Sequence, residues 1–425
     1  TQLPKVEAGR LVLDHEKERA VQVNSPWEAV KRDELPSDGP AQTDFSGRRG
    51  RVFWLSLKLG FLTILTLGFY RFWMKTRLRR WYWSAWRPGG HPLEYVGDPW
   101  EKLLGFLIAV VFLAFYIGIV NLLLMFASFS LFNGNFAAYL LSFLGVVPLW
   151  FYARYRARRY VLARSRWRGV RFGLEPGAWG YAARALWHWF LTLVTLGLLW
   201  PRKAFYLEKY ITDRTFFGAE RLQQNGRWFA LFWPWLGVWL PFVLAAIGLG
   251  VLGYQGVRAV EQFEASLDGS DVSDVGFFAF TEMLMPIAPF LAFGAPVWLM
   301  LALVYYNVKR IRYLTSHKTA GPAQLQIAPR FWKVTGIYFW GYSLATFVGG
   351  IIIAPISIMM VLVIEADGWA EMGIETGTIE TLPQPVLTAI AIASYFLLFL
   401  IWSVLMHAFI RFPLMRHFAS TLTIK

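Results

Sequence analysis

A chain of 425 residues that is 56% hydrophobic, 18% aromatic and only 16% charged does not have the composition of a soluble domain, and it reads as a polytopic membrane protein. Its formal charge of +15 is first a membrane signal, because Lys and Arg collect in loops on the cytoplasmic side and the 22 Trp suit the headgroup level. With no Cys, disulfides, thiolate metal sites and cysteine nucleophiles are excluded together.

Residues 1–44 are polar, with acids and bases interspersed and no secretory signal, and read as a soluble cytoplasmic arm. The first apolar stretch, 52–73, closes on LTILTLGFYRFW, and a near copy, LTLVTLGLLW, closes a second stretch at 178–200. Six further runs, near 103–129, 136–153, 228–254, 285–306, 334–364 and 385–410, are long enough at about 20 residues to cross roughly 30 Å of hydrocarbon as helices. The run 334–364 holds Gly349, Gly350 and Pro355 and is expected to kink. The expected fold class is an all-α polytopic membrane protein with about six transmembrane helices, two re-entrant or interfacial helical segments and internal repeats.

Loop charge sets the orientation. Lys and Arg number seven in 71–102, eight in 154–171, six in 202–227, six in 307–333 and three in 411–425. By contrast, 255–285 carries one Arg against six acids, and 365–384 carries five acids and no base. If only the six long runs cross, every basic loop and both termini fall inside. The stretches 52–73 and 178–200 then enter and leave on the cytoplasmic side. A helix broken at membrane depth needs local groups to satisfy freed backbone atoms, a role that Thr63, Thr66, Thr192 and Thr195 suit. A tip near Gly60 to Thr63, with Gly68 and Gly197 bending the chain toward the basic stretches, completes this reading. Lys58 and His188 are tolerable in a half-inserted segment.

After five inward-running segments a shared pattern follows, weaker in the last two: basic residues, an aromatic, then Gly with apolar neighbours. Arg77, Arg79, Arg80 and Trp81 form the first such box, Arg158, Arg159 and Tyr160 the second, Lys209 and Tyr210 the third, and Arg310, Arg312 and Tyr313 the fourth. These are the candidate residues for anionic lipid headgroups or a protein partner, because near-surface cations are each attracted to anionic lipid by about 1 kcal/mol. The pieces HPLEYVG, GVRFG and TFFGAE that come next read as short extended stretches leading back to the bilayer.

The string LTxxTLGxYxxW, the basic run ending in an aromatic, HPLEYVG, and Phe45-Ser-Gly47 ahead of the first segment resemble the YjgN-like family of bacterial inner-membrane proteins. The likeness covers about residues 45–425 and is good in the first unit, whereas the second string keeps TLG but continues LLWPRK. It implies a bacterial cytoplasmic membrane and a multispan helical fold, and supplies no reaction.

Enzyme chemistry has no foothold. The six His (His15, His91, His188, His317, His407, His417) form no metal pair at ligand spacing, and no GxSxG, Walker A or GxGxxG string occurs. Glu94, Asp98 and Glu175 lie singly beside bases. No catalytic residue, metal or cofactor is assigned, and nucleic acid is not expected as a partner because the basic boxes sit against a membrane. Two function classes stand. One is a non-catalytic scaffold or accessory subunit that binds anionic phospholipid and a membrane-protein partner. The other is a transporter or channel for a lipid or small solute, with the re-entrant pair lining a cytoplasmic vestibule.

Overall fold

The computed structural model describes residues 40–120, 122–123, 126, 135–268, 284–371 and 384–425. The chain divides into a unit of residues 1–41 and a unit of residues 42–425, and the architecture is that of the second. Its organising element is a ten-stranded antiparallel sheet that curls into a nearly closed barrel, which overturns the all-α, six-span expectation. The strands are β1 (Ala41–Phe45), β2 (Trp86–Pro88), β3 (Leu93–Tyr95), β4 (Ser165–Trp167), β5 (Val170–Leu174), β6 (Thr215–Phe217), β7 (Glu220–Gln224), β8 (Lys318–Ala320), β9 (Ala323–Ile327) and β10 (Leu422–Ile424). They lie in the order β2-β1-β10-β9-β8-β7-β6-β5-β4-β3.

Local chemistry makes the hairpins and tertiary contact joins them. Between β4 and β5, Arg168 and Gly169 both have positive φ (52° and 79°), the two-residue turn whose twist suits a tight hairpin. Neighbouring hairpins then pair across long stretches of sequence, as in Leu93–Tyr95 against Ser165–Trp167 and Leu222–Gln224 against Lys318–Ala320.

A helix enters and another leaves at each hairpin. The helices are α1 (Arg49–Leu65), α2 (Arg71–Ala85), α3 (Pro99–Phe115, continued by a wider turn at Tyr116–Val120), α4 (Asn135–Ala163), α5 (Ala178–Val194), α6 (Trp200–Thr212), α7 (Phe232–Asp268), α8 (Ala295–Ser316), α9 (Phe331–Glu371), α10 (Gln384–Leu405) and α11 (Phe412–Ser420). Packing follows chain order around the barrel, with α1 on α2, α2 on α3, α4 on α5 and so on to α9 on α10, and α10 returns to α1. Side chains fasten α3 to α4: Glu101 accepts from Arg164 at 2.8 Å and from Tyr160 at 2.9 Å. Where the helices meet the sheet lie compact cores, one of Phe151, Tyr155, Leu174, Tyr181 and Tyr210, another of Phe205, Leu231, Trp235, Val238, Tyr306 and Leu314.

Among the described residues four helical stretches are long and apolar enough to cross a membrane: Pro99–Val120, Trp228–Gln262, Phe290–Ser316 and Ile392–Ser420. They replace the six expected spans. The runs 136–153 and 334–364 lie within α4 and α9 but are not among these four, and α9 is one uninterrupted helix through Gly349, Gly350 and Pro355. Of the acidic connections, 255–268 and 365–371 continue α7 and α9, and 269–283 and 372–383, like most of the N-terminal arm, lie outside the described residues. The apolar window of Pro99–Val120 is 0% buried, and side chains such as Phe112 stand 71% exposed. Contiguous exposed apolar surface of this kind marks a lipid or protein contact.

The two TLG strings adopt one geometry. Helix α1 runs through Lys58, Gly60 and Thr63 to Leu65, and α5 runs to Val194, so the tip lies at Thr66–Tyr70 and at Thr195–Leu199, not near Gly60. Leu67 and Gly68 have φ of 49° and 93°, and Leu196 and Gly197 of 48° and 88°. The Gly68 N–H donates to Thr63 O at 2.7 Å and the Gly197 N–H to Thr192 O at 2.7 Å, which ends each helix in a left-handed turn. The Thr66 hydroxyl donates to Leu62 O (2.8 Å) and accepts from the Tyr70 N–H (2.9 Å), and Thr195 does the same with Leu191 O and the Leu199 N–H. One threonine thus ties the end of one helix to the start of the next. Leu67 and Leu196 project at 83% and 77% exposure from the two tips.

Candidate anion-binding site

Three helices turn a charged stripe toward a shared space. Arg154, Ala157, Arg158 and Val161 on α4, Trp200, Lys203, Ala204, Leu207, Glu208 and Ile211 on α6, and Arg310, Ile311, Leu314 and Thr315 on α8 recur at intervals that place them on one face of each helix. Together with Arg79 of α2, Tyr181 and Trp189 of α5 and Lys318 of β8 they line a chamber of about 660 Å³. Ligand sites commonly occupy about 300–1,000 Å³.

The chamber is cationic. Arg79, Arg154, Arg158, Lys203, Arg310 and Lys318 face one carboxylate among the described lining residues, Glu208. Lys318 Nζ donates to Glu208 Oε1 at 2.6 Å. Burial pushes the Glu208 carboxyl up, but Lys318, with Arg158 and Arg310, outweighs burial and holds it below its ordinary value. Arg79 rests over Tyr95 and Trp83, 5.2 and 5.7 Å from the ring centroids.

Lys203 is 6% exposed, and its ammonium sits 3.0 Å from the Trp200 ring centroid and 3.5 Å from that of Trp189. Its Nζ has no hydrogen-bond partner among the described residues. Burial, with Arg154 and Arg310 nearby, draws its pKa down to about 7. The two indole faces favour the charged form and oppose that shift.

A second basic site lies between α8 and the start of α9. Tyr305, Val308, Lys309 and Arg312, at helical spacing on α8, join Ala328, Pro329, Arg330, Phe331, Trp332 and Lys333 around a half-open groove of about 640 Å³. Four cations and no carboxylate line it among the described residues, and Trp332 at its edge is 76% exposed.

The remaining candidates take structural positions. Arg80 donates to Gly97 O at 2.9 Å, Trp81 packs on Phe45 and Phe412, and Tyr160 bonds Glu101. Lys209 donates to Gln224 O at 2.7 Å and pairs with Asp213. Tyr210 is buried, donates to Gly177 O and lies between Arg184 and Arg214, while the Tyr313 hydroxyl accepts from the Arg227 N–H. Arg77 and Arg159 are exposed and outside both cavities. Of the tip residues, Lys58 is exposed, and His188 is buried and stacked on Tyr206 at 5.2 Å.

The structure therefore gathers Arg79, Arg158 and Arg310 in the chamber and sends Arg312 to the groove. Arg154, Lys203, Glu208 and Lys318 are the chamber residues that motif reading misses. For three of them a signal is present in RYRARR and WPRKAFYLEK, where Arg154 stands four residues from Arg158 and Lys203 five from Glu208, spacings that only the helix geometry turns to one side.

No curated protein and no solved structure matches the chain. A family model described as bacterial protein of unknown function (DUF898) matches residues 40–348.

Proposed function

The chain belongs to that bacterial family of unknown function, and we propose that it is a non-catalytic, multi-pass protein of the inner membrane that holds anionic phospholipid headgroups and serves as a scaffold or accessory subunit for a membrane-protein partner. The likeness to YjgN-like proteins, and a cytoplasmic position for the barrel and both termini, are part of the same reading. The groove between α8 and α9 carries it: Lys309, Arg312, Arg330 and Lys333 surround a half-open cavity beside the exposed Trp332. Phosphate charge and an interfacial indole are what a headgroup site needs.

Other features agree. Trp54, Trp100, Trp179, Trp233 and Trp332, each within the first turns of a helix rising from the barrel, are 61–76% exposed, an arrangement that suits a headgroup-level belt. Helix α5 has 17 residues and α7 has 37, so the longer one rises about 30 Å further, near the thickness of the hydrocarbon core. The short hairpins α1–α2 and α5–α6 would then end in the inner leaflet, dipping their exposed leucines into lipid as re-entrant segments. The recurrent helix, hairpin, helix succession reads as four copies of one unit, with α11 and β10 forming part of a fifth.

The test is lipid retention by the purified full chain. In nanodiscs of mixed phosphatidylglycerol and phosphatidylcholine, native mass spectrometry should find phosphatidylglycerol retained, and Arg312→Gln with Arg330→Gln should lower that retention about tenfold. Equal retention of the two lipids, or retention indifferent to the double substitution, would overturn the proposal. A second reading, a route for a lipid or small solute, draws support from the chamber, whose walls come from five helices. Solute release from liposomes that depends on the chamber residues would favour it.

A further inference from the structure

The chamber is chemically unlike the groove, and its contents are a separate question. Six cations converge on about 660 Å³ while the single described carboxylate there is already taken by Lys318. Like charges held together repel one another, and the less exposed of them, Arg79, Lys203, Arg310 and Lys318, are the least screened by salt. A fold that spends three helix faces on this arrangement gains most when a multiply charged anion sits among them. Arg supplies forked donors matched to phosphate oxygens, and Lys a point charge. Lys203 adds an independent sign of a missing partner: more than nine-tenths buried at the chamber wall, its ammonium finds ring faces but no acceptor.

We infer that the chamber is a receptor for a group carrying two or more phosphates, gripped by Arg154, Arg158 and Arg310 with Lys203 beneath. Two sources share this chemistry, a water-soluble polyphosphorylated compound and the paired phosphates of a membrane lipid such as cardiolipin.

The experiment follows thermal unfolding of the full chain in uncharged detergent with inorganic tripolyphosphate, with cardiolipin in mixed micelles, and with sulfate at equal ionic strength. Either phosphate ligand should raise the melting temperature more than sulfate does, because a ligand that binds only the folded state stabilises it. Arg154→Gln and Arg158→Gln should each weaken the apparent affinity about tenfold. The same variants should unfold at the same or a higher temperature without ligand, because each removes a repelling charge, so loss of binding is not loss of fold. Arg87→Gln, on an exposed strand position away from both cavities, should leave the ligand response unchanged. A chamber-dependent shift with tripolyphosphate assigns a soluble ligand, and one with cardiolipin alone assigns a lipid. If neither ligand gives a shift that the chamber variants weaken, the inference is overturned.

Discussion

The two short helical hairpins, α1–α2 and α5–α6, make the same turn with nearly the same letters and are held in different ways. In each the left-handed pair, Leu67-Gly68 or Leu196-Gly197, closes the first helix and a threonine bridges to the second. At the second tip α7 donates two indoles, Trp235 Nε1 to Gly197 O at 3.0 Å and Trp239 Nε1 to Leu196 O at 2.9 Å. The first hairpin instead leans on α10, with Gly60 lying where any side chain would collide with Leu400 Cδ1. The shared string specifies the turn. What fixes the turn in place is supplied by neighbours remote in sequence.

Substitutions can break that comparison. Gly60→Val should have the largest effect, about 2–3 kcal/mol from overpacking, and should loosen α1 against α10 while leaving α5–α6 intact. Hydrogen exchange of the two hairpins would check it, and equal loosening of both would show that they are not independent. Gly68→Ala and Gly197→Ala should each cost about 1–2 kcal/mol, since nothing crowds either site and only the positive φ opposes a Cβ. Melting curves giving clearly unequal costs would mean that the surroundings matter to the turn itself. Trp235→Phe should cost about 1 kcal/mol and be felt at 195–199 alone, because one tip carbonyl loses its donor while the ring still packs. Faster exchange at 66–70 in that variant would contradict the distinction.

How much of this was legible follows from what each signal needs. Helical stretches, the basic boxes and the extended character of HPLEYVG, GVRFG and TFFGAE could be read, and those pieces contain β3, all of β5 but Leu174, and β6. The barrel could not. Its strands are three to five residues long, too short for an alternating pattern to stand out, and six of the nine neighbour pairings join segments far apart in sequence. Gly60 looked like a break because glycine weakens helices, yet here it makes room for Leu400 inside a continuous helix. At the candidate sites, charge could be counted but not aimed. Arg158 and Arg159 are adjacent letters, both exposed, and the helix turns only the first toward the chamber.

The pairing of β10 with β1 joins strands roughly 380 residues apart along the chain. At the usual pace of synthesis, about 5–20 residues per second, β1 waits some 20 to 75 s for that neighbour to leave the ribosome. Through that interval one edge of β1 offers unpaired backbone groups to any passing strand. The helical hairpins can form one at a time, but the sheet is a clasp that fastens last. Completion of the sheet therefore turns on whether residues 422–424 have found their place.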